Sequence, residues 1–178
     1  MNTIKNNIIS LIGMTGCGKT SVGRLLAAKL GARFIDLDDE IVLRHGEIKK
    51  IFDEKGEAVF RQIEYDTLKS VIDTSSGALC VLSCGGGLPT YPSSRSLLSE
   101  STTVVWIKRS AEEVCADERV LMRPPVNGDI ANYKRLLEAR NPIYLGTADS
   151  SFYNTTPRET ADSVIETLNL DKATEDKK

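Results

Sequence analysis

The sequence predicts an α/β domain in which a five-stranded parallel sheet is sandwiched by helices. Three observations carry this. Five short apolar runs alternate along the chain with segments of helical period, and such alternation builds a parallel sheet covered on both faces. A glycine-rich loop, Gly13–Thr20, joins the first apolar run to the first helical segment. The chain has 178 residues, which suits one domain, 1–178, able to bury roughly two-thirds of the surface its unfolded form exposes.

NIISLIG, Asn7–Gly13, is a short apolar run ending in glycine and reads as a buried strand. Thr20–Leu30 carries Val22, Leu25, Leu26, Ala27 and Leu30 at a helical period and is stopped by Gly31. RFIDLDD is a second strand running into acidic residues, with a helical segment expected around Glu40–Arg44. Glu47–Lys55 is a short helix closed by Gly56. Glu57–Ile72 is a longer one with Phe60, Ile63, Leu68 and Val71 on one face. Ala78–Leu82 is the third strand and Thr102–Lys108 the fourth, and Ala111 begins another helix.

ADERVLMRPPVNGD, residues 116–129, has two prolines and no period, so a loop or lid is expected there. Ile130–Arg140 is helical, with Tyr133, Leu136 and Leu137 on one face, and Asn141-Pro142 is expected to interrupt it. Ser151–Asn154 is the fifth strand. Pro157–Leu168 is the last helix, with its proline in the first turn. The charged tail 171–178 is expected to be disordered.

Composition narrows the function class. The net charge is −2, so no global field points to nucleic acid or an anionic membrane. No apolar run approaches the about 18 residues that span a bilayer. The N-terminus lacks the apolar core and cleavage site of a signal peptide. The four cysteines, Cys17, Cys80, Cys84 and Cys115, show no Cys-x-x-Cys spacing, and His45 is the sole histidine. A zinc site is not indicated, and reduced thiols in a cytoplasmic protein are expected. Cys17 lies inside the glycine-rich loop, which makes its thiol a candidate for solvent access.

GMTGCGKT, Gly13–Thr20, fits G-x-x-x-x-G-K-[ST] throughout, between a strand and a helix. Its glycines let backbone N–H groups converge on an anion at a helix N-terminus. Gly16, Cys17, Gly18, Lys19, Thr20 and Ser21 are the candidate ATP-binding residues, with Lys19 reaching the β- and γ-phosphates and the Thr20 hydroxyl on Mg²⁺. Asp36 and Asp38, two apart, share a face if the chain there is extended. One carboxylate can hold the metal's water shell while the other accepts a proton from an attacking hydroxyl. Alternatively, both simply cap the following helix.

Arg61 lies at the edge of its helix's apolar stripe. Arg140 falls on the Tyr133–Leu136–Leu137 face, so it needs an anionic partner, either an internal carboxylate or a substrate carboxylate. Arg119 and Arg123 lie in the expected lid, where they either close over a triphosphate or sit as solvated surface charge. Gly85–Gly87 are either a flexible turn before Pro89 or backbone that approaches a ligand closely and adopts positive φ.

Taken together, GMTGCGKTSVGRLLA, FIDLDDEI, GEAVFRQIE, CGGGLP, RPP and ARNPIY resemble, in that order, the shikimate kinase family, small P-loop enzymes of the nucleoside-monophosphate-kinase-like fold with a mobile lid. The resemblance runs from about Ile8 to Leu168. It implies ATP-dependent phosphorylation of the 3-hydroxyl of shikimate by a monomeric enzyme with Mg²⁺. Lys19 is then the phosphate-binding lysine, Thr20 the Mg²⁺ ligand and Asp36 the aspartate near the metal. Asp38 binds the substrate hydroxyls and serves as base, and Arg61 with Arg140 clamps the carboxylate. Gly86 contacts the substrate, so the triplet is the floor of the acceptor site, and Arg123 is the lid arginine that meets ATP. The helical segment about 37–72 binds the acceptor, and adenine lies near Thr155–Arg158. Where the family carries a further lid arginine this chain has Ala116, with Arg119 the candidate substitute. Gluconate kinase, on the same fold, and a regulatory nucleotide-binding module without an acceptor are rivals that the glycine triplet and arginine pair disfavour.

Overall fold

The computed structural model describes residues 4–75, 77–116 and 129–170. Arg119 and Arg123, with most of the expected lid, and the tail 171–178 lie outside the described residues. The strands are β1 (Ile8–Ile12), β2 (Arg33–Asp36), β3 (Cys80–Ser83), β4 (Thr103–Lys108) and β5 (Ser150–Tyr153). They form one parallel sheet in the order β2-β3-β1-β4-β5. The helices are α1 (Lys19–Leu30), α2 (Leu37–His45), α3 (Ile48–Thr74), α4 (Pro92–Ser101), α5 (Ala111–Cys115), α6 (Ile130–Thr147) and α7 (Pro157–Thr167).

Alternation along β1 divides the core. Ile8 and Ile12 face Leu68, Leu98 and Tyr144, while Ile9 and Leu11 face Val22, Leu26, Ala161 and Val164. All five β1 residues are buried, as expected of a central parallel strand. Each fully buried Ile or Leu contributes about 1.5–3 kcal/mol, so burial on both faces holds the strand order that sets up the site.

The expected β strands are all present, with ends shifted by one or two residues except in β2, which stops at Asp36 instead of running on through Asp39. Several expectations need correction. The second helix does not wait until Glu40. It starts at Leu37, directly after β2, because the Asp36 side chain accepts from Asp38 N and caps it. Asp36 and Asp38 are therefore not on one extended stretch: Asp36 ends the strand and Asp38 lies in the first helical turn. Asn141-Pro142 does not interrupt α6, which continues to Thr147 with Pro142 inside. Tyr144, two residues beyond the proline, is fully buried, packs its ring at 5.7 Å and a tilt of 41° against Trp106 and donates to Gly86 O at 2.6 Å. These contacts offset the hydrogen bond that proline removes. α4 is an element the sequence does not announce, since PSSRSLLSES lacks an apolar stripe and buries only Ser94 and Leu98. Gly56 does separate two helical stretches, as a kink at φ 80° within α3.

Candidate active site

The carboxyl ends of the strands open into a cleft of about 440 Å³. Each strand delivers residues to it, and their sequence along the sheet edge follows the strand order. Asp36 ends β2 and Asp38 follows it, Ser83 ends β3 and Cys84–Gly86 follow it, the glycine-rich loop follows β1, Arg109 follows β4, and Asn154, Thr155 and Pro157 follow β5.

The loop after β1 takes its shape from glycine where nothing else fits. Gly18, the N-cap of α1, has φ 99°, and a Cβ there would collide with Asn154 Nδ2. Asn154 uses that nitrogen to donate to Cys17 O at 2.7 Å, while its own Oδ1 accepts from Thr160 at 3.0 Å. From α6, Tyr133 donates to Thr15 O at 2.9 Å. The loop is thus braced from both sides before any ligand arrives. Lys19 is buried, and its ammonium donates to Gly13 O at 2.8 Å and Met14 O at 3.0 Å. Gly16, Gly18, Lys19, Thr20 and Ser21 line the cleft. Cys17 does not: its side chain is 1% exposed. The expectation of an accessible thiol is corrected, because Cys17 packs with Val22, Leu26 and Val81 in the core.

Beside the loop, Thr20 donates to Asp36 Oδ2 at 2.8 Å and its hydroxyl lies 3.4 Å from Ser83 Oγ. This is a set of hard oxygen donors with a single carboxylate, which fits a Mg²⁺ ion completed by water and phosphate oxygens. Among the described residues no cluster of three or more His, Cys, Asp or Glu is placed to hold a metal alone. Asp38, next to this set, has its pKa raised above the ordinary carboxylate value by burial and then by the Asp36 charge, against the pull of Lys19. A carboxylate so placed has increased proton affinity.

The glycine triplet presses on three different neighbours. A Cβ on Gly85 would lie 2.9 Å from Glu64 Oε1 and 3.0 Å from Asp38 Oδ1. One on Gly86 would lie 3.2 Å from Thr15 N, and one on Gly87 would lie 2.6 Å from both terminal nitrogens of Arg61. None of the three has positive φ, so the expected left-handed backbone is corrected: what glycine supplies here is close approach. Gly85 and Gly86 line the cleft.

Arg61 and Arg140 adjoin the cleft rather than line it. Arg61 pairs with Glu57 at 3.0 Å and with Glu64. Arg140 donates to Met14 Sδ at 3.5 Å. Among the described residues it makes no direct ion pair, and the internal-carboxylate alternative is met only by its charge acting on Glu64. Glu64 was missed by sequence reasoning. It is 1% exposed, and its pKa is raised to about 7 by burial, against the pull of the Arg61 guanidinium. Arg140 acts on it as well, which places both guanidinium groups within reach of one buried acid. The available signal was the Arg61-x-x-Glu64 spacing, i to i+3 on a helix. Ser83, Arg109, Asn154 and Tyr144 were also missed as parts of the site.

With this geometry in view, likeness to known proteins decides the family. The family model described as shikimate kinase matches residues 15–169. A shikimate kinase of Marinomonas sp. (strain MWYL1) is 34% identical over 171 residues, 93% of each chain. One of Persephonella marina (strain DSM 14350 / EX-H1) is 39% identical over 142 residues, 76% of this chain and 82% of the other. The solved structure of shikimate kinase from Acinetobacter baumannii in complex with shikimate superposes with a TM-score of 0.84 at 30% identity, over 96% of both chains. The chain belongs to the shikimate kinase family. It is accordingly a kinase, with ATP-dependent phosphorylation of shikimate as its reaction and the P-loop, nucleoside-monophosphate-kinase-like fold as its scaffold. Membership sets aside the gluconate kinase and regulatory-module readings. Among the described residues, no helix is long and apolar enough to cross a membrane.

Proposed function

We propose that this enzyme transfers the γ-phosphoryl group of ATP to the 3-hydroxyl of shikimate, with the acceptor between Asp38 and the Arg61–Arg140 pair. The observation that carries the assignment is that Asp38, with its raised proton affinity, shares one cleft with the phosphate loop. Asp38 accepts the hydroxyl proton as the new oxygen–phosphorus bond forms and the bond between phosphorus and the β–γ bridging oxygen breaks, releasing ADP. Lys19 and the loop N–H groups stabilise charge on the phosphoryl oxygens. Thr20 and Asp36 would hold Mg²⁺, which when bound would neutralise phosphate charge. Arg61 and Arg140 hold the ring carboxylate, and Gly86 keeps backbone close to it.

Arg123 is assigned to the triphosphate from the segment 116–129, and helices α2 and α3 to acceptor binding, all within one domain. Four unpaired cysteines support a reducing, cytoplasmic setting, and the enzyme is assigned as a monomer. The test is the product: phosphorus and proton NMR after turnover should show one ester, at the 3-position. An ester at another hydroxyl would displace the assignment of Asp38.

Glu64 gives this site a pH signature. Its ordinary pKa of 4.5 is raised to about 7 in the fold. Between those values the folded state holds a proton that the unfolded chain has released. The stability this confers is full below about pH 4.5 and is lost as pH rises through about 7. Glu64→Gln mimics the protonated form. Thermal melts are expected to show the wild-type Tm falling relative to the variant between about pH 5 and 7.5. Parallel curves would contradict a raised Glu64.

A further inference from the structure

We propose that Arg109 is a nucleotide-binding residue, its guanidinium pairing with the phosphate chain of ATP and ADP at the nucleoside end; this rests on the assignment of the cleft as the ATP site.

The first support is position. Arg109 is the residue directly after β4, and it lines the same cleft as the phosphate loop. Its neighbours in the chain hold its backbone. Ser110 N-caps α5 in a reciprocal arrangement with Glu113, and Ser110 N also lies 3.2 Å from the Tyr153 hydroxyl. The base of the Arg109 side chain is therefore fixed at the cleft wall.

The second support is an unmet donor. Arg109 Nε is buried with no hydrogen-bond partner, and among the described residues the side chain makes no ion pair. The carboxylate of Glu113, four residues on, feels the Arg109 charge but is not hydrogen-bonded to it. Its Oε2 accepts from Ser110 N at 3.1 Å, from Ser110 Oγ at 2.9 Å and from the Tyr153 hydroxyl. A buried guanidinium nitrogen without a partner is costly, and an anion in the cleft would satisfy it.

The third support is the direction of the ligand. Among the described lining residues the charges are Asp36 and Asp38 on one side of the phosphate loop, Lys19 on it, and Arg109 on the other side. Transfer toward Asp38 requires the γ-phosphate to point to the β2–β3 end. The nucleoside end then lies toward β4 and β5, where Arg109 stands with Asn154, Thr155 and Pro157. Lys19 already donates to two loop carbonyls, so Arg109 is the described lining cation that keeps a buried donor, Nε, without a hydrogen-bond partner. The contact falls on phosphates that remain in ADP, so ATP and ADP should depend on it alike, and shikimate should not.

Calorimetric titration of the full chain with Mg²⁺–ADP, and separately with shikimate, tests this. Arg109→Ala and Arg109→Gln are expected to weaken ADP about tenfold or more and to leave shikimate affinity within about twofold. Arg109→Lys should recover most of the loss, and the difference between wild type and Arg109→Ala should shrink at high salt. ADP affinity unchanged in Arg109→Ala and Arg109→Gln, equal loss of ADP and shikimate, or no recovery by lysine would each overturn the proposal. A wild-type chain that binds no ADP would instead overturn the ATP-site assignment on which it rests.

Discussion

Asp38→Asn is expected to lower kcat by about 10²-fold or more, with the KM for ATP little changed. Asparagine keeps the shape and can still hydrogen-bond a hydroxyl, but it cannot take up its proton. Asp38 sits in the first turn of α2, and its pKa is raised by burial and then by Asp36. Its charged form is thus disfavoured in the folded state. Replacing it with a neutral group should leave the Tm at neutral pH equal or higher. That second measurement separates a lost base from a damaged fold. Initial-rate kinetics with varied shikimate and varied ATP give both constants, and turnover near the wild-type value would remove Asp38 from the chemistry.

Arg140→Ala is expected to raise the KM for shikimate by roughly 10- to 100-fold, the worth of a charge-assisted pair to a carboxylate. The KM for ATP should shift much less. The two arginines are not equivalent. Arg61 is already paired directly with Glu64 and Glu57, whereas Arg140 makes no direct ion pair among the described residues: it reaches Met14 Sδ and Tyr144, and acts on Glu64 only through its charge. Most of the net positive potential offered to an incoming carboxylate therefore comes from Arg140. Lysine at this position should restore only part of the affinity, since it lacks the planar fork. A variant that loses ATP affinity and keeps shikimate affinity would move Arg140 to the nucleotide.

What could be read in the sequence was whatever depends on local backbone chemistry. Gly13–Thr20 needs no tertiary information, because its glycines and Lys19 define the anion nest by themselves. The stripe of Tyr133, Leu136 and Leu137 likewise placed Arg140 toward the interior. Asp38 is legible as a residue, but its backbone is not: the Asp36 cap starts a helix one residue after the strand, and a D-x-D spacing does not reveal that. Glu64 was not legible, since its significance lies in burial against Gly85 and Arg61. Pro142 misleads for the complementary reason. Tertiary contacts of Tyr144 with Gly86 and Trp106 carry α6 past a residue that would stop an isolated helix. The glycine triplet announces close approach, but not that Gly85, Gly86 and Gly87 would meet an acid pair, the phosphate loop and an arginine in turn.

In the proposed assignment one cleft carries a nucleotide end and a shikimate end that meet at Asp38. The most direct measurement is ADP release by the purified chain with ATP and Mg²⁺, in the presence of shikimate, of gluconate, or of no acceptor. Release is expected to depend on shikimate and to stay at background with gluconate. Release that is unaffected by shikimate, or that responds only to gluconate, would contradict the assignment.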